Sequence, residues 1–90
     1  MSFEWDAAKD SLNQAKHGVG FVEAQRAFLD PKRVIAVDDG HSVQEPRYFC
    51  LGVVEGCVMT VRFTFRGSTI RIIGAGYWRK GRRAYERENG

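Results

Sequence analysis

Arg62, Arg66 and Arg71 fall where a β-hairpin would carry three guanidinium groups on one face. In residues 61–66, apolar Val61, Phe63 and Phe65 alternate with polar Arg62, Thr64 and Arg66. Strict alternation marks a strand with one buried and one exposed face. A guanidinium donates paired hydrogen bonds to phosphate and keeps its proton throughout the physiological range. Three or four of them around one point would hold a phosphodiester and stabilise the added charge of a pentacovalent transition state. In RNA the 2′-hydroxyl is an internal nucleophile, so such a site needs neither metal nor cofactor. It needs a base for that hydroxyl, an acid for the 5′ leaving oxygen, and cations between them.

Histidine ordinarily changes charge near neutral pH, which singles out His17 and His41. Glu45, expected beside Arg66, is a further base candidate, and Lys16, Tyr77 and Tyr85 are candidate acids. Each has a plainer explanation. His17 near a helix C-terminus would interact favourably with the helix dipole. His41 would be a solvated loop residue, and Glu45 with Arg66 a cross-strand ion pair worth under about 1 kcal/mol. Asp38, Asp39, His41 and Glu45 can be drawn as metal ligands, but nothing in their spacing fixes a geometry. No phosphate-binding loop, dinucleotide fingerprint or nucleophile elbow is present.

The elements that must position these groups follow from turn chemistry. If Gly67-Ser68 is a two-residue hairpin loop, Arg66 faces Thr69, Thr64 faces Arg71 and Phe63 faces Ile72. If Glu55-Gly56 is another, position 54 pairs with 57, and Arg47 lies opposite Thr64. Arg47, Thr64 and Arg71 then form one row across three strands, with Glu45, Arg66 and Thr69 in the row beside it. Cys50, Val54, Cys57, Met59, Val61, Phe63, Phe65, Ile70 and Ile72 fall on the opposite, core side. A slip of one residue would invert the faces and bury the arginines, at a cost of several kcal/mol for each unpaired charge.

Along the chain, Phe3-Glu4-Trp5 is a short apolar start and a candidate edge strand. Asp6 is placed to cap a helix over residues 7–16, which Gly18 ends. A second helix is expected over residues 21–29, closed by Asp30-Pro31. Strands are expected at 34–37, 47–54, 57–66 and 69–75, with a polar loop over 38–46 and a basic helix over 79–88. This order predicts one α+β domain over residues 1–90: two N-terminal helices, a four-stranded antiparallel sheet and a C-terminal helix.

Net charge is only +3, but residues 1–59 hold six Lys/Arg against nine Asp/Glu, and residues 60–90 hold eight against two. The last third is therefore basic, which favours a polyanionic partner, nucleic acid before membrane. Cys50 and Cys57 lack metal-ligand spacing and read as buried free thiols in a reducing cytoplasm. No signal peptide, bilayer-spanning run or internal repeat is expected.

The residues also carry a family likeness. Phe3-Glu4-Trp5-Asp6, Lys16-His17-Gly18-Val19 with Phe21, Asp30-Pro31, Asp38 with His41-Ser42, Glu45 with Arg47-Tyr48, Thr64 with Arg66-Gly67, Arg71-Ile72-Ile73 and Arg83-Ala84-Tyr85-Glu86 resemble the BrnT family, in the same order and spacing. These are toxins of type II toxin–antitoxin pairs. The resemblance implies a RelE-like fold, cytoplasmic RNA cleavage that inhibits translation, and neutralisation by a BrnA-type antitoxin. That antitoxin has a ribbon-helix-helix DNA-binding portion, so operator DNA would be reached only through it. The site would use Lys16, His17, Arg47, Arg66 and Arg71 for catalysis, with Arg62, Arg79, Glu45, His41 and Tyr77 contacting substrate. Two departures stand out. Many members read Arg-Ile-Ile-Ser-Ala-Arg where this chain has Arg71-Ile72-Ile73-Gly74-Ala75-Gly76, and the usual acidic residue after the threonine is Phe65 here. Arg79 is a candidate replacement for the lost arginine. A second reading follows: a catalytically degenerate toxin that keeps its antitoxin and serves in autoregulation of the operon.

Overall fold

A computed structural model describes residues 1–41 and 44–90. Ser42 and Val43, and with them part of the expected 38–46 loop and of the His41-Ser42 motif, lie outside the described residues. Helix α1 spans Ala7–His17. The Asp6 carboxylate accepts from the Lys9 amide at its start, and Gly18, at φ 70°, closes its last turn by donating to the Gln14 carbonyl. Helix α2 covers only Phe21–Ala24, and the chain then tightens into a 3-10 helix over Gln25–Leu29. The expected nine-residue helix is thus one α-turn and a 3-10 continuation. Pro31 holds Asp30 in extended conformation, and a helix approaching such a stop commonly narrows.

The sheet has five strands among the described residues, in the order β1-β5-β4-β3-β2. They are β1 (Ser2–Glu4), β2 (Val34–Val37), β3 (Tyr48–Val54), β4 (Cys57–Arg66) and β5 (Thr69–Gly76). The four predicted antiparallel strands are present. The expectation of a purely antiparallel four-stranded sheet is corrected by β1, which pairs parallel to β5 through Ser2–Thr69, Phe3–Ile70 and Glu4–Arg71. The two hairpin loops set the predicted register: Arg66 faces Thr69, Thr64 faces Arg71, Phe63 faces Ile72 and Val54 faces Cys57. A bulge at Ile73 shifts the pairing farther along β5, so that Gly74 faces Arg62 and Gly76 faces Thr60.

One sheet face packs under α2 and the 3-10 helix. Phe21, Ala24, Ala27 and Phe28 close over Cys50, Met59, Val61, Phe63, Ile70 and Ile72, all buried. Phe28 meets Phe63 and Phe3 edge-on, with centroids 5.1 and 5.2 Å apart. Each such aromatic contributes roughly 1.5–3 kcal/mol through burial. Two core expectations fail. Cys57, the first residue of β4 after the Glu55-Gly56 turn, is exposed. Phe65 lies at the opposite end of β4 and keeps 51% of its surface exposed. Burial raises the Cys50 thiol to about 12, so it stays protonated.

Helix α3 (Arg79–Asn89) crosses the other face, where Gly81 rests on Thr60 and Leu51 so closely that a Cβ would collide with the Thr60 hydroxyl. This helix covers only the Cys57–Thr60 end of β4. Arg62, Thr64 and Arg66 lie beyond it on the same strand, Thr64 buried, Arg62 half-buried and Arg66 exposed. No helix among the described residues is long and apolar enough to cross a membrane.

Candidate functional site

The half of this face beyond α3 carries the arginine row. Glu4, Arg71 and Thr64 are register partners across β1, β5 and β4, and Arg47 continues the row just before β3. Although β3 begins at Tyr48 rather than Arg47, the Arg47 carbonyl still accepts from the Asp38 amide at 2.8 Å, which holds that residue in line. Thr64 is buried and donates its hydroxyl to the Pro46 carbonyl at 2.7 Å, pinning the segment that leads to Arg47. Carboxylates are interleaved with the guanidinium groups. Arg71 Nη1 donates to Glu4 Oε2 at 2.6 Å. Glu45 lies 3.7 Å from Arg47 Nη2 and 3.5 Å from Arg66 Nε. The Glu45–Arg66 pairing is the one expected from register; the Glu4–Arg71 pair is not, because nothing in the sequence names a partner for the candidate edge strand at Phe3-Glu4-Trp5. A three-residue strand paired to a segment 67 positions away leaves no local pattern.

A second cationic group lies where β1 ends. Beyond Arg71 the outer edge of β5 has no strand partner among the described residues, and Asn13 of α1 takes that place. Its amide donates to the Ala75 carbonyl at 2.9 Å and to the Val19 carbonyl at 2.8 Å, and accepts from the Ala75 amide at 3.2 Å. A buried strand edge must satisfy its backbone groups, and one side-chain amide does so here. Docking α1 in this way brings Lys9, Leu12, Lys16 and His17 beside Arg62, Ile73, Gly74 and Trp78 around a cleft of about 200 Å³. None of Lys9, Lys16, His17 or Arg62 forms an ion pair among the described residues, and Arg62 Nε is buried without a hydrogen-bond partner. Trp78 lies edge-to-face with His17, centroids 5.0 Å apart.

The other sequence-selected residues are dispersed. His41 Nδ1 lies 2.9 Å from Asp38 Oδ2, and His41 lines a hollow with Gly40, Gln44, Glu45 and Arg47. The ring is exposed and the Asp38 carboxylate buried, so the pair is oriented and not merely solvated. Among the described residues no group of three or more His, Cys, Asp or Glu side chains could hold a metal ion, so the drawn Asp38, Asp39, His41 and Glu45 set does not assemble. Tyr77 and Arg79 fall at the far end of β4, in a hollow with Cys57 and Arg82, away from Arg66 and Arg71. The reason is chain direction: β5 runs from the arginine row toward the opposite sheet end before Tyr77 begins. Arg79 therefore lies toward the Gly76 end of β5, the end that faces Thr60, and not beside Arg66 and Arg71.

The Tyr77 hydroxyl points to the Val54 carbonyl at 3.4 Å, and partial desolvation with the Glu23 charge raises its pKa. Tyr85 donates to Asp30 Oδ2 at 2.6 Å, and that hydrogen bond with burial pushes the phenol to about 12. Both phenols therefore hold their protons and lie away from the arginine row. Glu4, Lys9, Asn13 and Trp78 were given no role from sequence. The signals available were the Phe3-Glu4-Trp5-Asp6 run for Glu4 and an exposed aromatic between cations for Trp78.

No curated protein matches the chain. A family model does. It is described as "Ribonuclease toxin, BrnT, of type II toxin-antitoxin system", and it matches residues 5–81. That span holds α1, α2, four of the five strands and both cationic groups. The chain therefore belongs to the BrnT family of ribonuclease toxins of type II toxin–antitoxin systems.

Proposed function

We propose that this chain cleaves RNA without a metal ion, by internal attack of a 2′-hydroxyl on the adjacent phosphate. The observation that carries this reading is the gathering of Arg47, Arg66 and Arg71 around buried Thr64 on one sheet face. Their fixed positive charge matches the developing charge on the phosphoryl oxygens, and their pairing with Glu4 and Glu45 pre-orients them. Arg62, two residues before Thr64 on the same face, extends the grip toward Lys16 and His17. Glu45 and His41 flank the row on one side, with His41 turned by the Asp38 carboxylate. Lys16 and His17 flank it on the other. Proton acceptor and donor on opposite sides of phosphorus are what in-line displacement demands.

A second reading has its own support. Glu4 and Glu45 already engage the three arginines, as in a structural ion-pair network, and such a chain would serve as an antitoxin-binding module in operon control. In either case the partner is a BrnA-type antitoxin with a ribbon-helix-helix portion, and the site of action is the cytoplasm. The deciding experiment incubates purified protein with unmodified RNA in excess EDTA and identifies the product ends. Fragments ending in 2′,3′-cyclic phosphate, lost in Arg71→Ala, support cleavage. Activity that disappears on chelation rejects the metal-independent mechanism, and no cleavage under any condition favours the binding module.

A further inference from the structure

We infer that the cleft between α1 and β4 is a subsite for one unstacked RNA base, with Trp78 as its stacking surface; the inference rests on the RNA-directed reading above and names where the substrate's specificity is set. Trp78 keeps 39% of its surface exposed, yet its position is fixed. Its ring lies against Gly76, where a Cβ would come within 2.6 Å of the indole carbons, and it meets His17 in a T-shaped contact. Only glycine at 76 lets the indole settle there. A partly exposed aromatic held in place beside cations is the usual platform for a base in single-stranded nucleic acid.

The surroundings complete the match. The cleft is lined by Lys9, Lys16 and Arg62, which carry no carboxylate partners among the described residues and suit the phosphates on either side of a base. Leu12 and Ile73 supply apolar contact. Gly74 borders the opening without a side chain, although a Cβ there would meet only Asn13 Oδ1, at an ordinary 3.8 Å. Nothing steric demands glycine at 74; what its presence does is leave the slot open. The volume of about 200 Å³ is below the roughly 300–1,000 Å³ of whole-ligand pockets, in keeping with a subsite for a single base.

The test uses an end-labelled hexanucleotide with 2′-O-methyl groups throughout, which cannot be cleaved, and a series in which one position at a time is abasic. Binding is read by fluorescence anisotropy. We expect one abasic position to weaken binding to the wild-type chain about tenfold, the size of one base–aromatic stack. The same abasic change should have no effect in Trp78→Ala or in Gly74→Leu, and most of its effect should return in Trp78→Phe. A merely structural role for Trp78 would lower all affinities together and leave the positional penalty in place. Equal abasic penalties in wild type and Trp78→Ala overturn the subsite, as does failure of the wild type to bind the oligonucleotide. Cleavage of unmodified RNA is scored in parallel. Cleavage without the positional pattern removes the subsite alone, and the pattern without cleavage removes the ribonuclease reading alone.

Discussion

Two cationic regions share one face of the sheet and differ in what stands between their charges. In the row of Arg47, Arg66 and Arg71, Glu4 and Glu45 hold the guanidinium groups in place. In the cleft of Lys9, Lys16, His17 and Arg62 no carboxylate intervenes among the described residues. The first arrangement exchanges net charge for geometry. Paired arginines are pre-oriented, and a phosphate must displace or share a carboxylate to bind them. The second keeps its full charge for solvent and ligand, with positions set by a docked helix. Position matters most at a reacting centre and net charge most in attracting a polyanion, so the row suits the reacting phosphate, and the cleft, beyond the proton transfer given to Lys16 and His17, suits binding.

The largest effect that sharpens this contrast is expected from Arg71→Ala. Removing one transition-state donor should lower the cleavage rate by roughly 10²–10³-fold while leaving RNA affinity within a few-fold. Arg71→Lys should not restore it, because an ammonium cannot reproduce a bidentate contact. Single-turnover kinetics separate rate from binding. A loss confined to affinity would erase the distinction between the regions.

Asn13→Ala should act on the cleft alone. It leaves the Ala75 and Val19 backbone groups unsatisfied, and destabilisation of about 1–3 kcal/mol is expected in urea titration. Faster hydrogen exchange at the Ala75 amide would localise the damage. Unchanged stability would mean that α1 is held by other contacts. Lys9→Ala and Arg62→Ala should each weaken RNA binding similarly for all sequences and reduce the salt dependence by about one ion. Affinity titrations at several salt concentrations read this directly. Glu4→Gln should have the smallest effect, a stability change under about 1 kcal/mol with somewhat tighter RNA binding, since a partly exposed ion pair contributes little. Weaker RNA binding in that variant would show that Glu4 positions Arg71 more than it competes for it.

A contact remote from both regions serves as control. Asp30 accepts from Tyr85 and from the Val53 and Lys32 amides, tying α3 to the edge of β3. Burial pushes the Asp30 carboxyl upward, but the three hydrogen bonds outweigh it and hold its pKa below the ordinary 3.8. Its contribution to stability is present above that value and is lost as pH falls through the folded pKa. The Tyr85 phenol, raised from 10.0 to about 12, contributes fully below 10.0 and loses its contribution as pH rises toward about 12. Tyr85→Phe should therefore flatten the decline of stability between those two values without touching RNA binding. A decline of the same steepness in Tyr85→Phe would assign it to another group.

Residues 61–72 show how far local rules reach. Alternation assigned faces, two-residue loops assigned partners, and together they placed Thr64 opposite Arg71 with Arg47 in line. Those are interactions between chain neighbours, whose physics is written in adjacent residues. The Glu4–Arg71 pair, the Asn13 cap on β5, the exposure of Cys57 and the separation of Tyr77 and Arg79 from the arginines all depend on where distant segments meet. Residue types alone therefore determined that several guanidinium groups would share a face. Only the packed molecule decided which of them met a carboxylate, because that depends on which residues end strand β1 and dock helix α1, and neither choice leaves a periodic trace in the chain.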